Sequence, residues 1–189
     1  MSPLRTEKLG IPEITLVEPP VSADDRGFFS EVYNRRDLQE AGIVCEFVQD
    51  NHAFSTAANT VRGLHFQTPP HAQDKLVRVT RGAILDVAVD IRVGSPTFGR
   101  HVSAVLSAER WNQLFIPVGF AHGLRTLLPK TEVIYKVSAH YAPDYDMGVY
   151  WNDPELGIDW GVNAKEALVS EKDCRQPLLR DLPEYFKYP

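Results

Sequence analysis

Short runs of β-branched and aromatic residues, broken every few positions by Gly, Pro, Asn or Asp, dominate the chain and predict strands at 14–18, 28–33, 47–51, 61–66, 75–81 and 83–90. The series continues at 102–106, 113–116, 122–128 and 132–141. Arg81-Gly82 and Val93-Gly94-Ser95-Pro96 supply turn chemistry between neighbouring runs. Many short strands at close spacing point to a sandwich or barrel, and the jelly roll is the main such architecture with a ligand-sized interior.

Helical signals are sparse. Asn34 is placed to cap a short helix that runs to about Ala41 and stops at Gly42. Ser170-Glu-Lys-Asp173 reads as a second helix start, with a carboxylate at the position a capping box uses. No repeat, low-complexity segment or linker interrupts the pattern, so residues 1–189 are expected to form one mainly β domain with an extended N-terminal segment and a partly helical tail. The tail ends in Tyr185-Phe-Lys-Tyr-Pro189, aromatics expected to dock on the body.

Composition adds limits. The chain has 189 residues, 43% hydrophobic and 24% charged, enough for a sizeable core. A formal charge of −5 argues against a nucleic-acid or anionic-membrane surface, so any anion must be caught by a local group of cations. Cys45 and Cys174 lack metal-type spacing and read as two ordinary thiols. The N-terminus lacks the apolar core of a signal peptide and no run approaches membrane-spanning length; a cytoplasmic enzyme is expected.

The chemistry concentrates at 61–78, where His65 stands between Arg62 and Lys75. Two cations and an imidazole around one short strand suit an anionic substrate carrying an acidified C–H bond: a neutral imidazole with a reference pKa near ~6.5 is matched to act as a base. A lone histidine is more often a core residue bonded to a backbone carbonyl, but Arg62, Gln67 and Lys75 beside it weaken that reading. Lys75 opens a strand whose alternation groups it with Val77, Val79 and Arg81. It is either a solvated edge lysine or an ammonium facing a developing enolate, and its closeness to His65 favours the second. Strict alternation sets Arg62 and His65 on opposite faces; a bulge at Gly63 would bring them together.

Tyr135 shares a strand face with Val133, Val137 and Tyr141, and residues alone do not single it out from Tyr141. Asp173 either serves the helix cap or accepts from the His65 N–H; spacing leaves these even. Metal binding is the obvious rival reading, with His65 and His122 as ligands. Metal-binding jelly rolls of the cupin type carry His-x-His followed by Glu and later Pro-x-Gly-x-x-His. The second part is present at 117–122, but His65-Phe-Gln67 alters the first, and Lys75, which repels a cation, best matches the carboxylate position. No metal is expected.

These motifs, taken together, closely resemble the dTDP-4-dehydrorhamnose 3,5-epimerases. The resemblance runs from about 14 to 179 through Asp25-Arg-Gly-Phe-Phe-Ser-Glu31, Phe47-Val-Gln-Asp-Asn-His52, the run 61–67, Gln73-Asp-Lys-Leu-Val-Arg78, Asp86-Val-Ala-Val-Asp90, Ser95-Pro-Thr-Phe-Gly99, the run 116–122, Tyr135-Lys136, Trp151-Asn-Asp-Pro154 and Ser170-Glu-Lys-Asp173. It implies a cupin-type jelly roll that forms homodimers, uses no cofactor, and inverts carbons 3 and 5 of a dTDP-linked 4-keto-6-deoxy sugar on the way to dTDP-L-rhamnose. By motif position it implies His65 as base, Asp173 as its partner, Tyr135 as acid and Lys75 as enolate stabiliser. Arg26, Glu31, Gln49, Asn51, Arg62, His122 and Lys172 are implied as nucleotide-sugar contacts. Asp146 stands where the family usually has a substrate-contacting Glu, so that contact is one methylene shorter. Leu124-Arg125 replaces a more commonly aromatic stretch.

Three other readings compete. A single-centre epimerase or keto-isomerase would exchange one carbon-bound hydrogen with solvent rather than two. A metal-dependent oxygenase is disfavoured by the altered His-x-His, and a non-catalytic sugar-binding jelly roll has no use for a proton donor opposite His65.

Overall fold

The computed structural model describes residues 3–189. Two six-stranded sheets carry the fold. The first runs Arg5–Lys8, Thr15–Glu18, Gln113–Ile116, Lys75–Arg81, Thr131–Val137, Gln49–Ser55 in spatial order, antiparallel throughout. The second runs His101–Ser107, Ala83–Asp90, Phe120–Thr126, Thr60–Gln67, Asp146–Gly148, with Leu168–Val169 added parallel to the start of Thr60–Gln67. The chain passes repeatedly between the layers, which makes the jelly roll the strand pattern predicts.

Both sheets are covered on both faces, which is why several strands do not alternate cleanly. In Lys75–Arg81, Val77 and Val79 point into the inter-sheet core with Ile84, Ala88, Leu106, Leu114 and Phe120. Leu76 faces outward, yet it is buried under Leu38 and Ile43 from the helix Arg35–Glu40 and its exit. The Asn34 side chain caps that helix by accepting from the Arg36 N–H at 3.0 Å. The second sheet's outer face is covered by the C-terminal segment: Trp151, Trp160 and Phe186 pack on Val61, Leu64, Phe66, Val87 and Val89. Phe186–Lys187 pairs with Arg92–Val93, so the aromatic tail docks on the body. Fully burying one large apolar side chain is worth about 1.5–3 kcal/mol, and these three layers hold the sheets at a fixed separation.

Several boundaries differ from the sequence reading. The strand expected at 132–141 ends at Val137, because the following backbone pairs sideways: Ala139 and His140 carbonyls accept from Gln73 and Gln67 side chains. Tyr141 therefore lies beyond the strand rather than on its inner face. The strand expected at 28–33 is Gly27–Ser30, half of an exposed hairpin with Val21–Asp24. The strand at Gln49–Ser55 starts later and runs further than 47–51. Two- and three-residue strands at Arg92–Val93, Asp146–Gly148, Leu168–Val169 and Phe186–Lys187 have no signature of their own; long-range partners create them. Cys45 and Cys174 are free thiols. Among the described residues no helix is long and apolar enough to cross a membrane.

Candidate active site

The apolar filling between the sheets stops at Leu124 and Val133, and beyond them opens a cavity of about 580 Å³, within the usual range for small-molecule sites. His65 projects into it from the second sheet, and Lys75 and Tyr135 from the first, so imidazole and phenol stand on facing walls.

A local irregularity delivers His65. Strand Thr60–Gln67 pairs His65 with His122 but Arg62 with Leu124, so three steps on one strand match two on the other. This bulge restores Arg62 and His65 to the same side, and both line the cavity. Only glycine fits at its centre: Gly63 has φ +114°, and a Cβ there would lie 2.6 Å from the His122 carbonyl oxygen.

Asp173 is nearly inaccessible, at 3% exposure. Its backbone N–H donates to the Ser170 Oγ at 3.1 Å, capping the helix Glu171–Cys174. Its carboxylate does something else: Oδ1 lies 2.6 Å from His65 Nε2, and Oδ2 accepts from the Gly63 N–H at 3.3 Å. The two alternatives left open by the sequence are thus met by different atoms of one residue. Burial pushes the Asp173 carboxyl up, but the hydrogen bonds from His65, Gly63 and Ser170 outweigh it and leave the group below its ordinary value. With a carboxylate accepting at Nε2, the neutral tautomer of His65 carries its proton there and presents Nδ1 as the base.

Lys75 is on an interior strand, not an edge, and is only 8% exposed. Its Nζ donates to the His65 carbonyl oxygen at 3.2 Å. Burial pushes its pKa down to about 8, opposed by the charges of Asp146 and Asp86. Burial also raises the Tyr135 phenol, with Arg62 pulling the other way, so its hydroxyl keeps its proton at neutral pH.

The polar wall is tied together. Arg62 donates through Nε to Ser55 Oγ and through a terminal nitrogen to the Phe54 carbonyl, both at 3.2 Å, which fixes it across the gap between the sheets. Gln49 Nε2 donates to Asn51 Oδ1 at 2.9 Å. Asp146 accepts from Lys172 Nζ at 2.5 Å, a bond that raises the Lys172 pKa, and from the Tyr141 hydroxyl at 3.3 Å. His122 is bonded through Nε2 to Asp86 at 2.7 Å. Gln67 lines the cavity, but both ends of its amide serve the loop above, bonding the His71 and His140 carbonyls and the Ala142 N–H.

Two expected site residues lie elsewhere. Arg26 sits in the turn of the exposed hairpin, paired with Asp24, and Glu31 follows it, accepting from Asn34 Nδ2 at 3.2 Å. Neither residue lines the cavity, so within this chain they do not meet the other site residues. Conversely, sequence reasoning passed over Asp86 and the site position of Tyr141. A carboxylate in a strand row otherwise apolar, Ile84-x-Asp86-x-Ala88, was the available signal for the first.

Residues 8–181 match the family model described as dTDP-4-dehydrorhamnose 3,5-epimerase. The enzyme of that name from Sinorhizobium fredii is 50% identical over 186 residues, covering 96% of this chain and 93% of that one. Among solved structures, the dTDP-4-dehydrorhamnose 3,5-epimerase of Bacillus anthracis with TDP and pyrophosphate bound is 47% identical at a TM-score of 0.89, covering 93% of this chain and 99% of its own. The dTDP-6-deoxy-D-glucose-3,5-epimerase of Legionella pneumophila in complex with dTDP-4-keto-L-rhamnose is 38% identical at a TM-score of 0.93, covering 98% and 99%. With near full-length matches in sequence and in the cupin jelly-roll fold, this chain belongs to the dTDP-4-dehydrorhamnose 3,5-epimerase family.

Proposed function

We propose that the chain inverts carbons 3 and 5 of dTDP-4-dehydro-6-deoxy-α-D-glucose, giving dTDP-4-dehydro-β-L-rhamnose for the synthesis of dTDP-L-rhamnose. The observation that carries this reading is the pairing of His65 with a buried Asp173 in one sheet's wall, with Tyr135 and Lys75 entering the same cavity from the other sheet. A 4-keto group acidifies the hydrogens on both neighbouring carbons. His65 Nδ1 takes such a proton; the C–H electron pair becomes the enolate C=C and charge moves to oxygen, where the Lys75 ammonium meets it. Tyr135 then gives its hydroxyl proton to the same carbon from the other side, which inverts it; the phenolate left behind regains a proton from solvent, and His65 releases the one it took to solvent. The same cycle at the second carbon completes the reaction. The scheme requires neither metal nor redox cofactor.

In this reading Gln49, Asn51, Arg62, His122, Asp146 and Lys172 hold the nucleotide sugar, with Arg62 the main local cation for the diphosphate. The enzyme acts as a homodimer, in which the projecting hairpin carries Arg26 and Glu31 to the partner's cavity. The exposure of Phe29 (62%) and of Phe28 (65%), whose ring meets only the edge of Trp111 at 4.5 Å, supports this, since a solvated hairpin has no need of two largely uncovered aromatic rings. One domain per chain and a cytoplasmic location, where nucleotide sugars are made, complete the proposal.

The test is incubation of the purified enzyme with the 4-keto sugar nucleotide in heavy water, followed by mass spectrometry. Two deuterium atoms on the ring carbons support a 3,5-epimerase. One alone means a single-centre enzyme, and none removes the epimerase reading.

A further inference from the structure

Strand Ala83–Asp90 carries two aspartates that are both 0% exposed, Asp86 and Asp90, and they are satisfied very differently. Asp90 is surrounded by donors: the backbone N–H, Nε and a terminal nitrogen of Arg92, together with the hydroxyls of Ser95 and Thr97. It is a structural anchor. Asp86 lies between Ile84 and Ala88, on the face that packs into the inter-sheet core. Its Oδ1 accepts from His122 Nε2 at 2.7 Å, while its Oδ2 is buried with no hydrogen-bond partner among the described residues. A carboxylate placed in an apolar row with half its acceptors unfilled is a poor stabilising element, because the desolvation of the charge is only partly offset. The same low dielectric makes its field strong on whatever charge stands near it.

The nearby charge is Lys75. The cavity wall here is built from His122, Lys75 and His65, with His122 directly opposite His65 on the adjacent strand. The titratable groups surrounding Lys75 are Asp86, His122 and His65 from the second sheet, Asp146 at that sheet's end, and Tyr135 from its own sheet. Of the two anions acting on Lys75, Asp146 acts more strongly but is already paired with Lys172, whereas Asp86 adds to it and has only the His122 N–H as partner.

We infer that Asp86 is a positioning residue for the reaction: it locks the His122 ring through Nε2 and holds Lys75 as an ammonium on the enolate side of the cavity. This rests on the epimerase reading above and extends it. Burial lowers the His122 pKa against the opposing pull of Asp86, so the ring is neutral at neutral pH. With Nε2–H committed to Asp86, Nδ1 becomes an acceptor toward the cavity, suited to a sugar hydroxyl rather than to the enolate oxygen. The oxygen is left to Lys75, whose ammonium must survive in a buried position. The sign follows directly. An adjacent anion favours the charged form of lysine, so removing it moves the ammonium's loss to lower pH.

The experiment is the pH dependence of kcat for the full-length enzyme and its Asp86→Asn variant, with solvent-hydrogen exchange followed in parallel. In the wild type the alkaline limb should fall near pH 8, as Lys75 deprotonates. In Asp86→Asn, whose amide oxygen still accepts from His122, the limb should move down by about one pH unit. KM should change much less than kcat. An unmoved limb with a uniformly lower kcat would make Asp86 a structural residue and overturn the inference. Should the variant fail to fold, ¹⁵N chemical shifts of the His122 ring in the wild type decide its first half. A protonated Nε2 and bare Nδ1 across pH 6.5–8.5 are expected; the opposite tautomer or an imidazolium contradicts it. In the same case, rates of Lys75 acetylation by acetic anhydride, read by mass spectrometry of the wild type against pH, test the second half. Reactivity that rises through about pH 8 is expected, and an amine already unprotonated at pH 6.5 contradicts it. If wild-type enzyme exchanges no substrate hydrogen at all, it is the epimerase reading that fails, not the role of Asp86.

Discussion

His65 Nε2 lies 2.6 Å from Asp173 Oδ1, although 108 positions separate the two residues in the chain. The strand that carries the histidine is bulged at Gly63, and the short helix that carries the aspartate is capped by Ser170, so both partners are held by backbone features rather than by loops. The arrangement leaves Nδ1 as the one basic nitrogen of His65.

Replacing His65 by Ala should lower kcat by roughly 10²–10⁴, the usual contribution of a general base. The ring is about one-third exposed and bridges no apolar core, so the melting temperature should change little. Steady-state kinetics beside a thermal melt checks both. A folded variant with near-normal turnover would remove His65 from the mechanism.

Asp173→Asn should cost less than loss of the base itself, on the order of 10- to 100-fold in kcat against the 10²–10⁴ above. It should also change how stability depends on pH. The folded carboxyl sits below its ordinary value of ~3.9, so its contribution is fully present above that value and is lost as pH falls through the lower folded one. Urea denaturation should therefore show the widest gap between wild type and variant near neutral pH, closing in acid. A gap that widens in acid contradicts the assignment.

Much of this site is legible in the sequence because strand geometry is local. The clash of parity between Arg62 and His65 requires an extra residue, and Gly63 is where the bulge lies. Lys75 and Tyr135 fall on their strands' cavity sides by simple alternation. What depends on distant partners is not legible. No spacing rule brings Asp173 to His65, and nothing local ends the strand at Val137 before Tyr141, because the side chains of Gln67 and Gln73 that capture the next carbonyls come from another part of the chain. Arg26 and Glu31 carry a recognisable motif, but a motif does not say that their side chains stand clear of the cavity. Asp86 goes unnoticed because a strand aspartate reads by default as solvent-facing.

Lys75 and Arg62 should separate kinetically. Enolate charge exists only near the transition state, so Lys75→Ala should lower kcat, by about 10²–10³, more than it raises KM. A diphosphate is charged throughout, so Arg62→Ala should act mainly on KM. A Lys75→Ala enzyme with raised KM and normal kcat would reverse the two roles.

Gln67→Leu tests the loop that overhangs the cavity. It leaves the Ala142 N–H and the His71 and His140 carbonyls without their partner, which should destabilise the protein by on the order of 1–3 kcal/mol in urea denaturation. A neutral effect would mean that water replaces the amide without penalty.

The most direct test of the two-sided mechanism is Tyr135→Phe assayed in heavy water. The substitution removes one hydroxyl and leaves the ring packed against the core cluster that includes Val133. His65 and Lys75 still form and hold the enolate, so the variant should wash deuterium into the sugar, while inversion of configuration falls by orders of magnitude relative to exchange. Loss of exchange together with inversion, in a variant that still binds the nucleotide sugar, would contradict the assignment of base and acid to opposite walls.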